Sequence, residues 1–329
     1  MTTRRDLHRE PLSNVIPLDT PFTMFIEPTN RCNFRCAFCP TSKPNLISSV
    51  NRPTGDMTYE FSKQIIDQIA LFPKKLKMLN FQYMGEPLLN PHTPDMIAYA
   101  VDKNISNWYE IRTNGSLLNP KMNRRLIASG INRVGISVEA INSIGYQKIS
   151  GVHNFNIDRF MDNIGDLHDN EGDNCEVYIK IDDTGLTEEE KAMFFELFSP
   201  LADDIQIEYL IDWNRADDFD FKLGINSGKM MTGHDPYIKN ICSYPFYTLG
   251  ITWHGETPLC CVDWSYATSI GNVHQENMQQ IWNGERLKDF RIMHLENRRS
   301  ENPACATCKG LFMCPDNIED KREEILSRL

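Results

Sequence analysis

Three cysteines lie close together near the start of the chain, at Cys32, Cys36 and Cys39. They follow residues 23–27, whose apolar and β-branched side chains predict a strand. Thiolate sulfur suits iron–sulfur clusters, and three thiolates on one loop can hold three irons of a [4Fe–4S] cluster while the fourth iron stays open. A structural zinc site needs a fourth Cys or His, and residues 20–60 offer none. The spacing therefore predicts a cluster-binding loop rather than three unrelated buried cysteines.

Composition narrows the class of protein further. The chain has 329 residues, ten cysteines and a formal net charge of −11. No secretory leader opens it and no run approaches the ~18 apolar residues of a membrane span, so we expect a cytoplasmic protein without a membrane partner. Cysteines in such a protein favour metal binding over disulfides. The negative charge argues against a nucleic-acid partner, because phosphate binding needs clustered Lys and Arg.

Between residues 22 and 213 the chain alternates between strand-like and helix-like segments. Strands are predicted at residues 23–27, 75–83, 108–113, 133–138, 176–181 and 205–211. Helices are predicted at residues 61–72, 93–103, 119–129, 141–148, 156–168 and 187–198, and a surface loop at residues 43–54. Such alternation builds an α/β fold with a parallel sheet and right-handed crossovers. Pattern alone leaves open whether the sheet is doubly wound or closes toward a barrel.

The array Cys32-x3-Cys36-x2-Cys39, with the aromatic Phe38 before its third cysteine, resembles the signature of radical S-adenosylmethionine (SAM) enzymes. The resemblance implies a (β/α)6 partial TIM barrel with its chemistry at the carboxyl ends of the strands. It also implies that the three cysteines are catalytic, since they would hold the cluster whose open iron binds the amino and carboxylate groups of SAM.

Turns at the ends of the predicted strands extend this resemblance. Met84-Gly85-Glu86-Pro87 is similar to the Gly-Gly-Glu-Pro motif that holds the SAM amino group, with Met84 in place of the first Gly. Thr113-Asn114-Gly115 and the Ser137-Val138-Glu139 segment resemble turns that border the SAM pocket. Lys180 is a candidate partner of the SAM carboxylate or of the substrate, a surface lysine being the alternative. The implied SAM-binding residues are Phe38, Met84, Gly85, Glu86, Thr113, Asn114, Ser137 and Lys180.

A second set of cysteines lies beyond residue 240: Cys242, Cys260, Cys261, Cys305, Cys308 and Cys314. A hairpin formed by residues 247–253, the His254-Gly255 turn and a following strand would bring Cys242 and Cys260 together. Gly255-x4-Cys260 and Cys305-x2-Cys308-x5-Cys314 are similar to the SPASM and Twitch auxiliary-cluster domains. The resemblance implies one auxiliary [4Fe–4S] cluster on Cys242, Cys260, Cys305 and Cys308, with Cys261 and Cys314 spare. Cys314 remains an alternative ligand to Cys308, and structural zinc remains an alternative metal.

These features divide the chain into successive parts. We expect an N-terminal arm over residues 1–21, a radical SAM partial barrel over 22–213, a linker over 214–240, a Twitch/SPASM-like hairpin-and-helix domain over 241–316 and a C-terminal helix over 317–329. Candidate substrate contacts lie at the barrel rim: Tyr83, Glu208, Tyr209, Asp212, Trp213 and Asn214.

The two predicted metal sites lead to a functional hypothesis. Enzymes similar to this chain cleave SAM reductively to a 5′-deoxyadenosyl radical, take hydrogen from a small polar substrate and pass an electron to the auxiliary cluster. We therefore expect a radical SAM oxidoreductase that oxidises a secondary alcohol of a sugar or aminocyclitol, supplied with electrons by a flavodoxin- or ferredoxin-type reductant. Two alternatives stay open. One is an epimerase with Cys261, Cys314 or Cys175 as hydrogen donor, and the other is a peptide-modifying maturase.

Overall fold

The computed structural model describes residues 10–172, 174–183, 186–210, 229, 231, 239–306, 308, 310–313 and 316–329. Cys314, the rim candidates Asp212, Trp213 and Asn214, and most of residues 214–240 lie outside the described residues. Within the described part, no helix is both long and apolar enough to cross a lipid bilayer.

Parallel strands form the main sheet, and seven of them lie in the described part of the chain, in the order β6-β5-β4-β3-β2-β1-β7. They are β1 Thr23–Ile26, β2 Met78–Asn80, β3 Tyr109–Thr113, β4 Arg133–Val138, β5 Glu176–Asp182, β6 Asp204–Glu208 and β7 Thr248–Ile251. The first six overlap the predicted strands and lie side by side in chain order. The predicted (β/α)6 core of an α/β fold is confirmed.

The seventh strand differs from the prediction. Residues 247–253 were expected to pair with the strand that follows the His254-Gly255 turn, but β7 pairs in parallel with β1, from Thr23 opposite Thr248 to Ile26 opposite Ile251. The turn itself forms, with Gly255 at a φ of 89°, in the left-handed region that favours glycine. Beyond it, β8 Glu256–Pro258 pairs antiparallel with β9 Ser269–Asn272 in a small separate sheet.

Helices connect the strands of the main sheet and continue beyond it. They are α1 Leu12–Val15, α2 Pro44–Ser49, α3 Tyr59–Ile69, α4 Thr93–Asp102, α5 Pro120–Ala128, α6 Ser143–Ser150, α7 Ile157–Asn170, α8 Glu188–Phe198, α9 Met278–Asn283, α10 Glu285–Leu295 and α11 Arg322–Leu326. The capping box predicted from Thr187 and Glu190 is present at the start of α8. Ile65, Ile66 and Ile69 show how these helices are held, since they form one buried face of α3 within the main core.

Two segments lie outside the regular alternation of strands and helices. The stretch predicted as a loop over residues 43–54 contains the short helix α2, which starts at Pro44, a position where proline costs no helical hydrogen bond. None of its side chains is buried, so it carries no apolar periodicity that would reveal it. The predicted N-terminal arm packs Leu12 and Ile16 with Ile241, Phe246 and Ile325 in a second small core.

Candidate active site and auxiliary metal site

The strand register decides which side chains share a face of the sheet. Residues paired across parallel strands point the same way, and alternate residues of one strand share a face. Ser137 lies opposite Lys180, and Asp182 lies opposite Glu208. Arg112 and Glu110 contact each other, and Arg112 also contacts Glu208. One face of strands β3 to β6 therefore carries a row of polar and charged groups.

A carboxylate at the end of β6 is the centre of this row. Glu208 is 4% exposed and accepts hydrogen bonds from Lys180 Nζ at 2.6 Å and from the Tyr178 hydroxyl at 2.9 Å. Arg112 Nη1 lies 3.7 Å from Oε1 of the same carboxylate. Burial alone would raise the pKa of Glu208, but the two cations outweigh it and lower that pKa. Glu208 is therefore an ionised acceptor in an ordered network.

The neighbouring carboxylates also determine the protonation states of Lys180 and Arg112. Burial tends to lower the pKa of Lys180 and of Arg112, but neighbouring carboxylates outweigh burial and raise both. Both side chains stay charged, so neither is suited to act as a base. The Lys180 side chain is only 18% exposed, so the surface-lysine alternative is wrong.

Carboxylates outnumber cations on this face. Glu110, Glu139, Asp182 and Glu208 share this face with Arg112 and Lys180, and toward its amino end Arg133 pairs with Glu176. Burial raises the pKa of Asp182 to about 6, against the opposing effect of Lys180. Burial, with Asp182 adding, raises the pKa of Glu139 to about 8. A carboxyl group with a pKa near neutrality is suited to proton transfer.

The cysteine loop follows β1 and is held by its backbone. The Arg35 and Ala37 amides donate to the carbonyl oxygens of Ser150 and Ile149, each at 2.8 Å, which fixes the loop against the end of α6. Burial raises the pKa of the thiols of Cys32, Cys36 and Cys39, and for Cys32 and Cys36 the charges of neighbouring thiols add to it. As free thiols they would stay protonated, and a cationic metal centre would displace those protons. The predicted cluster ligands therefore fit a metal cluster.

The turn after β2 lies directly against this loop. A Cβ on Gly85 would lie 2.5 Å from the carbonyl oxygens of Thr29 and Arg31, so the position requires glycine. The Glu86 amide donates to the Arg31 carbonyl at 2.8 Å. Met84 is buried, which shows how the turn accommodates a side chain where related motifs have glycine.

Glu86 joins two of the predicted SAM turns. Its carboxylate accepts hydrogen bonds from the Thr113 hydroxyl at 2.7 Å, the Leu88 amide at 2.9 Å and the Asn114 amide at 2.7 Å. Asn114 in turn reaches the cluster loop, with Nδ2 2.9 Å from Asn33 Oδ1 and 4.0 Å from Cys32 Sγ. Both carboxylate oxygens of Glu86 are thus engaged within the protein.

The remaining predicted SAM residues lie in two places. Phe38 is half-buried on the cysteine loop, and Ser137 and Lys180 face each other on the polar side of the sheet. The structure thus brings Cys32, Glu86, Thr113 and Asn114 into a chain of contacts, with Ser137 and Lys180 on neighbouring strands.

Sequence reasoning missed Glu27, which is fully buried at the end of β1. Its carboxylate accepts hydrogen bonds from the amides of Met84 and Trp253, each at 3.2 Å, and from the Tyr266 hydroxyl at 2.9 Å. Burial raises the pKa of Glu27 to about 7. A charged residue ending an apolar strand was the available signal. Glu27 links the SAM turn to the C-terminal segment.

Tyr83 makes a second link between the same two regions. Its hydroxyl donates to the carbonyl oxygen of Cys260, and its ring lies over Gly250, where a Cβ would approach the ring to 2.7 Å. Tyr83 directly precedes the SAM turn, while Cys260 belongs to the predicted auxiliary site. The end of β2 and the auxiliary segment are therefore one hydrogen bond apart.

Four of the auxiliary cysteines line one cavity. Cys242, Cys260, Cys305 and Cys308 surround it together with apolar side chains such as Leu259. Burial raises the pKa of the Cys305 thiol, and the nearby thiols of Cys260 and Cys308 add to this effect. Cys261 does not line the cavity. Four thiols around one cavity fit a four-cysteine metal centre.

Backbone and basic groups complete the auxiliary site. Arg299 donates from one guanidinium nitrogen to the carbonyl oxygens of Cys305 and Cys308, at 2.6 and 3.1 Å. The Gly310 amide donates to Cys308 Sγ at 3.2 Å. His294 also lines the cavity and was not singled out by its sequence context.

Comparison with curated relatives gives partial and full-length matches. An AdoMet-dependent heme synthase of Methanosarcina barkeri is 28% identical over 126 residues, which is 38% of this chain and 33% of the relative. Matches of this kind span about a third of the relatives' length. An S-adenosyl-L-methionine-dependent 2-deoxy-scyllo-inosamine dehydrogenase of Niallia circulans is 20% identical over 89% of this chain and 95% of its own length.

A solved structure shares the fold. BtrN, in complex with AdoMet and 2-DOIA, aligns with a TM-score of 0.56 at 19% identity, over 88% of this chain and 92% of its own. Family models describe the two halves: the radical SAM superfamily matches residues 26–197, and the iron–sulfur cluster-binding SPASM domain matches residues 242–309. The chain thus belongs to the radical SAM superfamily and carries a SPASM-type iron–sulfur domain after its barrel.

Proposed function

We propose that this protein is a radical SAM dehydrogenase that oxidises a secondary alcohol of a small polyhydroxylated substrate, with an auxiliary cluster as electron acceptor. The observation that carries the proposal is the cavity lined by Cys242, Cys260, Cys305 and Cys308, one hydrogen bond from the SAM turn through Tyr83. An acceptor joined so directly to the barrel suits a reaction that removes an electron from the substrate. The similarity to the 2-deoxy-scyllo-inosamine dehydrogenase over nearly the full length of both chains supports it.

The proposed reaction balances in atoms and electrons. Cys32, Cys36 and Cys39 would hold the SAM-binding cluster, which would supply reductive cleavage of SAM to methionine and a 5′-deoxyadenosyl radical able to take a hydrogen atom from the carbinol carbon. The substrate then loses its hydroxyl proton and one electron to become a ketone. Cys242, Cys260, Cys305 and Cys308 would hold the auxiliary cluster, which would serve as the acceptor for that electron. One electron enters from a flavodoxin- or ferredoxin-type reductant and one leaves with the substrate's oxidation.

We assign the hydroxyl proton to the Asp182 carboxylate. Asp182 ends β5 on the polar face, and burial raises its pKa to about 6, so it is ionised at neutral pH yet basic enough to accept a proton. Lys180 and Glu208 lie beside it as a fixed donor and acceptor for further substrate hydroxyls. The excess of carboxylates on this face favours a neutral or amine-bearing polyol, such as an aminocyclitol, over an acidic substrate.

Iron and sulfide analysis with EPR under anaerobic conditions tests the two metal sites. The wild-type protein should hold about eight irons, and the Cys32/Cys36/Cys39→Ala triple variant about four with a [4Fe–4S] signal remaining. If the wild-type protein held only about four irons, the triple variant none, and both contained zinc, there would be no auxiliary electron acceptor. That result would overturn the dehydrogenase proposal.

Single cysteine variants test the auxiliary ligand set. Cys242→Ala should lose the auxiliary cluster and about half of the iron, because Cys242 lines the cavity. Cys261→Ala should keep all of the iron. It serves as the matched control because Cys261 is next to the proposed ligand Cys260. Loss of iron from Cys261→Ala with retention in Cys242→Ala would reverse the assignment.

Epimerisation is the second candidate, and the place of Cys261 in the chain favours it. Cys261 directly follows Cys260, whose carbonyl oxygen accepts the hydrogen bond from the Tyr83 hydroxyl. A thiol there would return a hydrogen atom to the opposite face of the substrate. Cys175 is less suited, because it lies before β5, at the amino end of the sheet. Cys261→Ser should abolish turnover but not SAM cleavage if the enzyme is an epimerase, and should leave ketone formation intact if it is a dehydrogenase.

A further inference from the structure

A histidine on the last turn of α10 contacts one of the auxiliary cysteines. His294 is 1% exposed, and its Nε2 lies 3.6 Å from Cys305 Sγ. This separation fits an N–H···S hydrogen bond, which is longer than one to oxygen because sulfur is larger. His294 therefore presents its imidazole edge to a sulfur of the thiol-lined cavity.

The surroundings of His294 Nδ1 indicate which ring nitrogen of this histidine carries the proton. His294 Nδ1 is buried and has no hydrogen-bond partner in the described part of the chain. A buried N–H without an acceptor is more costly than a buried lone pair without a donor, so the hydrogen of a neutral imidazole belongs on Nε2. A doubly protonated ring would carry it there as well. In both states Nε2 donates toward Cys305.

We propose that His294 donates a hydrogen bond to the Cys305 thiolate and thereby raises the reduction potential of the auxiliary cluster, so that it accepts the substrate's electron more readily. The inference rests on the proposed function, in which that cluster is the acceptor. Reduction adds negative charge to the cluster and its sulfurs, and a donor aimed at one sulfur stabilises the reduced state more than the oxidised one. Hydrogen bonds from such outer groups are a general means of adjusting metal sites.

Other hydrogen-bond donors at the auxiliary site hold the backbone of Cys305 and Cys308, whereas His294 contacts a sulfur atom. Arg299 donates to the carbonyl oxygens of Cys305 and Cys308, not to their sulfurs. The Gly310 amide donates to Cys308 Sγ, and no side-chain substitution removes it. His294 is thus a side chain whose substitution removes a donor to the sulfur of Cys305 while leaving these backbone contacts in place.

The test compares the holoenzyme with His294→Leu, which fills the space without a donor, and with His294→Gln, whose amide retains one. EPR-monitored redox titration follows the [4Fe–4S] signal that added SAM does not perturb, and the exposed His153 provides a matched control as His153→Leu. We expect His294→Leu to shift the reduction equilibrium about tenfold toward the oxidised cluster, a midpoint potential about 59 mV lower for one electron. His294→Gln should recover most of the shift, and His153→Leu should show none.

Other outcomes overturn the inference in distinguishable ways. An unchanged potential in a fully loaded His294→Leu would show that the contact does not affect the cluster, with the proposed function intact. Loss of the auxiliary iron from both His294 variants would make His294 a ligand or a structural residue instead. A wild-type protein without this second signal would overturn the proposed function and the inference together.

Discussion

The hydroxyl of Tyr83 donates a hydrogen bond to the backbone carbonyl of Cys260, so the segment between β2 and the predicted SAM-binding turn contacts the lining of the auxiliary cavity directly. Glu27 adds a second connection, since its buried carboxylate joins the Met84 amide to Trp253 and Tyr266. Both links cross from the barrel to the C-terminal segment. The two candidate metal sites therefore share their supporting groups.

Removing the Tyr83 hydroxyl should weaken this connection. We expect Tyr83→Phe to lower the free energy of unfolding by about 1 kcal/mol, the typical net value of one hydrogen bond. Iron should also leave the auxiliary site faster when a chelator is added. Urea denaturation and chelator kinetics measure both effects. Tyr99→Phe removes a hydroxyl from a more exposed bond to Asp67 and should cost less; equal losses in the two variants would contradict a special role for Tyr83.

Glu86→Ala should disrupt the SAM turns. It leaves the buried donors of Leu88, Thr113 and Asn114 without their acceptor, and we expect a loss of about 3 kcal/mol or more in the free energy of unfolding. SAM affinity should fall at least about tenfold, since we propose that these turns border its pocket and the substitution displaces them. Urea denaturation and calorimetric titration with SAM give the two values. The exposed Glu60→Ala is the control, and unchanged SAM affinity in Glu86→Ala would limit Glu86 to a stabilising role.

The Lys180–Glu208 pair should behave as a buried ion pair. Lys180→Met removes the nearer of the two cations beside Glu208 and leaves it the more distant Arg112 and the neutral Tyr178 hydroxyl, and we expect a cost of about 3 kcal/mol. Adding Glu208→Gln should recover much of it, so a double-mutant cycle in urea should show strong coupling. The pair Lys191–Glu188, whose glutamate side chain is 84% exposed, is the comparison, and a cost below about 1 kcal/mol is expected for it. Additive losses at the buried pair would contradict the assignment.

Glu27 should make stability depend on pH. Burial raises its pKa in the folded protein from the ordinary value of 4.5 to about 7. Between these values the folded state holds a proton that the unfolded chain has released, so the stabilising contribution is full below about pH 4.5 and is lost as pH rises through about 7. The total is about 3 kcal/mol from the shift in pKa.

Urea denaturation across this range gives the measurement. Glu27→Gln should make the slope between about pH 4.5 and 7 shallower by the contribution of one proton, while Asp182 and Glu139, whose pKa values are also raised, keep part of it. Glu196→Gln, at an exposed position of α8, should keep it. An unchanged slope in Glu27→Gln would assign the whole pH dependence to other groups.

The sequence predicted the barrel well because the signals were local. The alternation of segments located six of the strands, and Thr187 with Glu190 marked the start of α8. Residues 247–253 were harder, because the turn at His254-Gly255 favours a local hairpin, whereas the partner of β7 is β1, more than two hundred residues earlier in the chain. The residue pattern of a single short strand does not predict which distant strand it pairs with.

The site divides in the same way. The positions of Cys32, Cys36, Cys39 and Glu86 were evident from motif spacing, and a common cavity for Cys242, Cys260, Cys305 and Cys308 followed from their resemblance to known domains. The contacts that support these groups were not evident. Glu27 and His294 belong to no motif, and their importance comes from burial beside a residue distant in sequence, which only the folded chain creates.

The pairing of β7 with β1 has a consequence for exchanging parts between related enzymes. A chain ended before residue 240 would leave the backbone of β1 as an open edge, directly before the cysteine loop, and such an edge invites pairing with other molecules. A chimera should therefore keep β7 with its own barrel and place the crossover at the His254-Gly255 turn. The seventh strand is thus structurally part of the barrel sheet, although in sequence it lies with the C-terminal segment.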